Sequence, residues 1–368
     1  MRVLITGSNG FIGRNLKFYL FNFNIQVLEF NRGNKIALLK KLVENVDIIF
    51  HLAGENRSIN KNNFNKNNFH LTKKIVDCVI ESKKKTPIIF TSTIKINEKN
   101  LYGSSKKKSE NYFASNLRKN LINYSILRLP NIFGKWSKPN HNSFVTTCCY
   151  NLSRNKEIYL NKNAKLKLFY IDDLTKIFLE EASKCLKKKN YNKLILIKKS
   201  YEIMLFDLVK LIKKFYNNYN TISNNQFKNS FEKKLFSTFI SYLPNKKYKF
   251  SIPINKDHRG NFVEFSKKDN FGQISYFTVK PGAIRGKHYH NTKIEKFLVI
   301  SGSLTYVTKS LVNKKKKMYL LNSKKSEMIY SIPGHEHFFK NNSPKEAIVL
   351  VWANEVFDTK RPDTYILI

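Results

Sequence analysis

Between Gly282 and Gly302 the chain reads G-AIRGK-H-Y-H-NTKI-E-KFLVIS-G, with His288 and His290 one residue apart and Glu295 five residues further on. Successive side chains of a strand point to opposite faces, so His288 and His290 fall on one face of a strand. Glu295 opens the next apolar run, and His337 lies on a later one beside His335. The spacing predicts three imidazoles and one carboxylate converging inside a closed sheet. Three nitrogens and one oxygen suit zinc among divalent metals, with iron, manganese and nickel left open.

The surrounding texture fits that reading. After Leu243 the turn-like run Pro244-Asn245-Lys246-Lys247-Tyr248 leads into short strands separated by glycine and lysine turns. Candidates are Asn261–Ser266, Ile274–Val279, Phe297–Ile300, Leu304–Thr308 and Ile348–Trp352. Almost no helical periodicity remains, so the tail is expected to be an all-β antiparallel barrel, with a domain boundary near residue 245. The two histidine segments resemble the paired signatures of the cupin family. The first signature is met by Gly282, His288, His290, Glu295 and Gly302, the second by Gly334, His337 and Asn341. Pro333 stands next to the glycine instead of one residue further upstream, so that turn is remodelled. The run Arg285-Gly286-Lys287-His288 also resembles sugar 3,5-epimerase and ketoisomerase cupins, in which an HxH-like pair works without metal as acid and base. That alternative stays open here.

The N-terminus carries an independent constraint. Val3-Leu4-Ile5-Thr6 runs directly into Gly7-Ser8-Asn9-Gly10-Phe11-Ile12-Gly13, and an amphipathic helix pattern follows. Gly7 permits a tight turn, Gly10 lets the backbone approach a pyrophosphate, and Gly13 allows helix and strand to pack closely. Strands are expected at Val3–Thr6, Val27–Phe30, Ile48–Leu52, Ile88–Thr91 and Ser125–Leu129, with helices between them. That rhythm predicts a doubly wound, Rossmann-type parallel sheet over residues 1–245, followed by the barrel over 246–368. Further helices are expected at Asp173–Leu186, Glu202–Tyr216 and Phe231–Leu243. The second strand runs Leu28-Glu29-Phe30-Asn31-Arg32. Asn31 replaces the acid that usually holds the NAD ribose, and Arg32 is placed to meet a 2′-phosphate, which favours NADP; a register shift of two residues would bring Glu29 into the acid position.

Chemistry needs more than a bound cofactor. Tyr102 and Lys106 stand one helical turn apart and follow a strand ending Thr91-Ser92-Thr93. Lys106 and the nicotinamide charge are expected to lower the Tyr102 phenol, which then protonates a carbonyl oxygen also held by Thr93. With Leu52-Ala53-Gly54, the Arg128–Gly134 stretch and Tyr170-Ile171-Asp172-Asp173, these features resemble the extended short-chain dehydrogenase/reductase family, Thr93 standing where that family usually has Ser. The resemblance implies that Leu52, Ala53 and Gly54 lie along the cofactor, and it nominates Asn131 and Lys135 as substrate contacts, joined by Arg285 in the barrel.

The formal charge of +41 raises the question of nucleic acid. Only 10 of the 67 basic residues are Arg, and Lys is spread along the whole chain with Asn, Ile, Phe and Tyr, as A/T-rich coding produces. No nucleic-acid partner is expected, although a cationic shell attracts anionic nucleotide sugars. No apolar run reaches the roughly 18 residues a membrane span needs, and a strand follows Met1-Arg2 at once, so neither membrane insertion nor a signal peptide is expected. Cys78, Cys148, Cys149 and Cys185 show no metal or disulfide spacing, which fits a reducing cytoplasm.

Taken whole, the chain resembles the family of bifunctional capsular-polysaccharide enzymes of the CapF type. The resemblance is carried further by Pro130 to Trp136, Leu235 to Pro244, Asp257–Phe265 and the ending from Asn354 to Tyr365. It implies a UDP-amino-4-ketosugar substrate, C3 epimerisation of a UDP-2-acetamido-2,6-dideoxy-4-hexulose by the cupin domain, and C4 reduction with NADPH to UDP-2-acetamido-2,6-dideoxy-L-talose. A homodimer is expected. The alternatives are another 4-keto nucleotide-sugar reductase whose cupin is structural or a ketoisomerase, and an NADP-binding protein without activity.

Overall fold

The computed structural model describes all residues except 59, 61, 160–163, 221–226, 252–254, 258–259, 263–271, 356–359 and 368, and describes backbone alone at 255–257, 260–262, 273 and 275. The end of the expected strand Asn261–Ser266, most of the Asp257–Phe265 segment and Val356 to Asp358 therefore lie outside the described residues. The chain forms two compact units, residues 1–144 with 165–203, and residues 145–164 with 204–368.

In the first unit β1 (Arg2–Thr6), β2 (Gln26–Phe30), β3 (Ile48–His51), β4 (Ile88–Thr93) and β5 (Tyr124–Leu129) alternate with helices. Two further strands, β6 (Asn131–Phe133) and β7 (Lys165–Tyr170), precede β8 (Asn192–Leu196). The main sheet is parallel in the order β2-β1-β3-β4-β5-β8. Helices cover both faces, so its inner strands are apolar without interruption: Val3, Leu4 and Ile5 are fully buried, as are Ile48, Ile49 and Phe50. Leu4, Ile49 and Phe90 pack against Ile75, Val79, Phe113 and Leu117 from the helices Leu71–Glu81 and Leu101–Lys119. Each such side chain contributes roughly 1.5–3 kcal/mol on burial. The strand order reverses beside β1, which opens a crevice at the carboxyl ends of β1 and β3.

A smaller sheet joins β6, β7 and β9 (Tyr201–Met204). Glu202 to Met204 are therefore strand, where the apolar spacing predicts the start of a helix. The Glu202 carboxylate is drawn to Lys165 and Lys167 of β7 instead, and the helix begins at Leu205.

The second unit contains the helices Leu205–Asn218 and Ser230–Ser241 together with the barrel. Its strands are β10 (Lys249–Ser251), β11 (Asn255–Asp257), β12 (Gly260–Phe262), β13 (Gln273–Val279), β14 (Ile284–Tyr289), β15 (Glu295–Ser301), β16 (Ser303–Ser310), β17 (Lys316–Asn322), β18 (Glu327–Tyr330), β19 (His335–Lys340), β20 (Ala347–Ala353) and β21 (Tyr365–Ile366). Two five-stranded sheets form, β10-β18-β15-β20-β13 and β17-β16-β19-β14-β21, antiparallel throughout as expected. The rings of Phe297, Tyr306 and Phe339 pack beneath His337, with centroids 4.9 to 6.1 Å apart. Among the described residues no helix is long and apolar enough to cross a membrane.

Candidate active sites

The crevice of the first unit is a cavity of about 1310 Å³, lined by Gly7, Asn9 and Gly10 to Gly13 on one side and Thr93, Tyr102, Lys106 and Asn131 on another. The glycine turn is built for close approach. A Cβ on Gly13 would lie 2.3 Å from the Gly7 carbonyl oxygen and 2.7 Å from Ser8 Cα. That cradle leaves main-chain N–H groups and a helix N-terminus facing the cavity, the donor set a pyrophosphate requires. The buried Ser92 hydroxyl has no hydrogen-bond partner among the described residues, as expected where a bound group completes the site.

At the end of β2 the Asn31 amide donates to Ser8 Oγ (2.7 Å) and its carbonyl accepts from Asn9 N–H (3.2 Å). Glu29 is already engaged: Ser8 Oγ donates to it at 2.5 Å and Lys17 pairs with it. Burial alone would raise this carboxyl, but the bonds from Lys17 and Ser8 outweigh it and hold it below its ordinary range. Arg32 is largely exposed and reaches Glu55 at 3.3 Å. Leu52 and Gly54 line the cavity, while Ala53 packs on Gly7 and donates its N–H to Thr6 Oγ1.

Asn100 caps the helix Leu101–Lys119 through Gly103 N–H (2.7 Å), which sets Tyr102 and Lys106 on the side facing the end of β4. The Thr93 hydroxyl lies beside the Tyr102 phenol and favours its ionised form. Burial raises the phenol above its ordinary value and only Thr93 opposes the shift, so the lowering expected from Lys106 is not what this geometry produces. The reason lies in Lys106 itself. It is buried, donates to the Thr91 carbonyl at 2.6 Å, and is pulled down by burial to about 7. Beneath it, His51 is clamped between Thr6 and Thr72 (2.9 Å each) and burial lowers it to about 3, so it is neutral.

One residue that the sequence reading did not single out organises this wall. Asn68 lies in a π-helical turn, Asn65–His70, and is buried. It accepts from Glu55 N–H (2.8 Å) and donates to the Glu55 carbonyl (2.8 Å) and Ser105 Oγ (3.0 Å), tying the loop after β3 to the Tyr102 helix. Asn131 lines the cavity and donates to the Lys167 carbonyl (3.2 Å). Lys135 departs from the expected substrate contact. Its ammonium is buried against Asp172 at 2.7 Å, and it does not line the cavity.

In the second unit the ligand atoms of His288, His290, Glu295 and His337 all lie within 4.8 Å of one another. The strand alternation needs one amendment. Gly286 and Lys287 take positive φ (120° and 58°) at a bulge in β14, and His290 sits just past the end of that strand. Nε2 of His290 and Nε2 of His337 approach the same Glu295 oxygen, at 3.0 and 3.2 Å. Nδ1 of His290 faces the Asp363 carbonyl at 2.5 Å and so carries a proton, which leaves Nε2 as the nitrogen turned to the carboxylate. Three imidazole nitrogens and one carboxylate oxygen converging within 4.8 Å are the donor set of a divalent metal, and the cluster fits one. Arg285 is exposed on β14 and donates to the Thr278 carbonyl at 3.3 Å.

Comparison with known proteins agrees with both halves. Residues 3–193 match the NAD dependent epimerase/dehydratase family, and residues 255–365 match the polysaccharide biosynthesis C-terminal domain. The chain is 36% identical over 368 residues to the UDP-2-acetamido-2,6-beta-L-arabino-hexul-4-ose reductase of Pseudomonas aeruginosa, covering 99% of this chain and 98% of that protein. It is similar over its whole length to the crystal structure of the capsular polysaccharide assembling protein CapF from Staphylococcus aureus, with 32% identity, a TM-score of 0.65 and 99% of that chain covered. The UDP-N-acetylglucosamine 4-epimerase from Bacillus cereus, at 20% identity and TM-score 0.51 over 59% of this chain and 82% of that one, shares the fold.

Proposed function

We propose that this chain, which belongs to the NAD dependent epimerase/dehydratase family and is an enzyme of the CapF type, first epimerises C3 of a UDP-2-acetamido-2,6-dideoxy-4-hexulose and then reduces its C4 ketone. The product on this reading is UDP-2-acetamido-2,6-dideoxy-L-talose, a sugar donor for surface polysaccharide. Reduction is assigned to residues 1–245 and epimerisation to residues 246–368. The observation that carries the reading is the presence in one chain of the Thr93–Tyr102–Lys106 wall and the four-ligand cluster on Glu295.

When bound, NADPH supplies the hydride. Gly7 to Gly13 hold its pyrophosphate, and Arg32 with Asn31 meets the adenosine end, since Glu29 is already neutralised by Lys17. Tyr102 hands its hydroxyl proton to the C4 oxygen, and Thr93, beside that hydroxyl, holds the same oxygen. Lys106 stands one helical turn from Tyr102 in the same wall, and Asn131 contacts the sugar nucleotide. In the barrel, His288, His290, Glu295 and His337 would hold zinc, which supplies a positive charge to the C4 oxygen while C3 is deprotonated. The ketone dictates the order, because it acidifies the C3 proton and disappears on reduction.

Incubation with the UDP-4-hexulose in deuterated water tests both steps. Deuterium should enter C3 without NADPH, and Tyr102→Phe should lose reduction by about 10²–10⁴ while keeping that exchange. Reduction with no exchange at C3 would leave a 4-keto reductase with a structural cupin, and normal reduction by Tyr102→Phe would remove the proton donor.

A further inference from the structure

The C-terminal turn at Asp363 is tied to the histidine cluster by both its main chain and its side chain. Its carbonyl accepts from Nδ1 of His290. Its carboxylate accepts from the N–H groups of Asn291 (3.0 Å), Thr292 (2.5 Å) and Lys293 (2.6 Å) and from the Thr292 hydroxyl (2.8 Å). Next to it, Thr364 Oγ1 accepts from the Lys293 ammonium (2.8 Å), and β21 runs on beside His288 and Tyr289. Asn354 grips the same loop from the other side, accepting from Ile294 N–H (2.9 Å) and donating to the Thr292 carbonyl (3.1 Å). Main-chain groups of the link between His290 and Glu295 are thus bonded to Asp363 and Asn354, far away in sequence.

We infer that Asp363 is a positioning residue for His290, holding its ring in the Nδ1–H tautomer so that Nε2 faces Glu295 and His337. A carbonyl oxygen only accepts, so the carbonyl of Asp363 fixes a proton on Nδ1 and leaves Nε2 as the nitrogen turned to the cluster. The carboxylate acts on the carbonyl's position. Four donors converge on it, and together with the Lys293–Thr364 bond they tie residues 291–293 to the turn that carries the carbonyl. The cluster is then shaped for a cation before one arrives. This inference rests on the reading of the cluster as a metal site, and the two can fail separately. Any substitution at 363 retains the carbonyl, so the side chain alone is under test.

The test uses the full chain and two readouts. In metal-free protein, long-range ¹⁵N–¹H NMR of the histidine rings, assigned with a His290→Asn variant, should show the wild-type ring protonated at Nδ1 and a mixture of tautomers in Asp363→Ala. In a chelator competition with Zn²⁺, Asp363→Ala should bind about 10–100-fold more weakly, the usual effect of losing an outer-shell partner. Asp363→Asn keeps one acceptor oxygen and should recover part of both signals. Unchanged near-UV circular dichroism and an unchanged thermal unfolding profile of the full chain establish that the variants fold. A wild-type His290 protonated at Nε2 overturns the inference, as does Asp363→Ala with the same tautomer and Zn²⁺ affinity within twofold. If Asp363→Ala does not fold, Asp363→Asn decides by the same two signs. A wild-type protein with the expected tautomer and no Zn²⁺ binding supports the positioning role and sinks the metal reading instead.

Discussion

Lys106→Met should abolish reduction and at the same time stabilise the protein at neutral pH. The lysine is 5% exposed, its ammonium sits 4.1 Å above the Phe90 ring, and one hydrogen bond reaches the Thr91 carbonyl at 2.6 Å. Burial pulls it from 10.5 to about 7, with Glu110 opposing. At roughly 1.4 kcal/mol for each pH unit, that difference corresponds to about 4–5 kcal/mol. The unfolded chain holds this proton up to 10.5 and the folded chain only to about 7, so between those values the unfolded state binds more protons and stability rises with pH. The wild type should therefore gain up to about 1.4 kcal/mol per pH unit from this group above pH 7. Methionine keeps the packing and removes the buried charge, but it leaves the Thr91 carbonyl without its donor at a cost of about 1–3 kcal/mol. The net expectation is a gain of about 1–3 kcal/mol at pH 7 that vanishes and reverses towards pH 10. Urea denaturation of both proteins at pH 7 and pH 9 measures it, with reduction expected to fall about 10²–10⁴-fold. Parallel stability–pH lines for the two proteins would refute the reasoning.

Three further outcomes follow from particular contacts. In Gly13→Ala the new Cβ meets main-chain atoms that cannot rotate away, so a stability loss of about 1–3 kcal/mol and loss of NADPH binding in a fluorescence titration are expected. Arg32→Ala removes a side chain that is 84% exposed, so stability should hold while the KM for NADPH rises about tenfold or more and that for NADH does not; an equal change in both would remove Arg32 from 2′-phosphate recognition. Glu295→Gln, or a chelator on the wild type, should stop C3 exchange and leave the reduction of an already epimerised sugar unchanged, with metal content read by elemental analysis.

The parallel sheet was legible because burial on both faces forces uninterrupted apolar runs, as in Ile48 to Phe50 and Ile88 to Phe90. β8 escaped notice for the opposite reason. Leu194 and Leu196 are half-exposed there, at 50% and 53%, so the strand belongs to a sheet edge with no clear inside face. At Tyr201 to Met204 the error was one of period: three or four residues cannot distinguish the start of an amphipathic helix from a strand, and the deciding partners, Lys165 and Lys167, lie far back in sequence.

The sites divide along similar lines. Histidines at i and i+2 with framing glycines announce themselves because the donor atoms that converge are side-chain atoms of distinctive residues. Lys135 was nominated as a substrate contact by the resemblance alone, whereas Asp172, from another motif, takes its ammonium into the interior. Asp363 was invisible for a deeper reason. A carboxylate that accepts from three consecutive main-chain N–H groups leaves no signature in the residues it serves, because every residue but proline has that donor. Residues that act through the backbone can therefore be identified only from coordinates. In this chain they include both Asp363, which grips the loop between His290 and Glu295, and Asn68, which grips the loop beside the crevice of the first unit. A catalytic motif specifies which atoms react; the groups that hold those atoms in place are chosen by geometry, and almost any short polar side chain at the right point in the fold can serve.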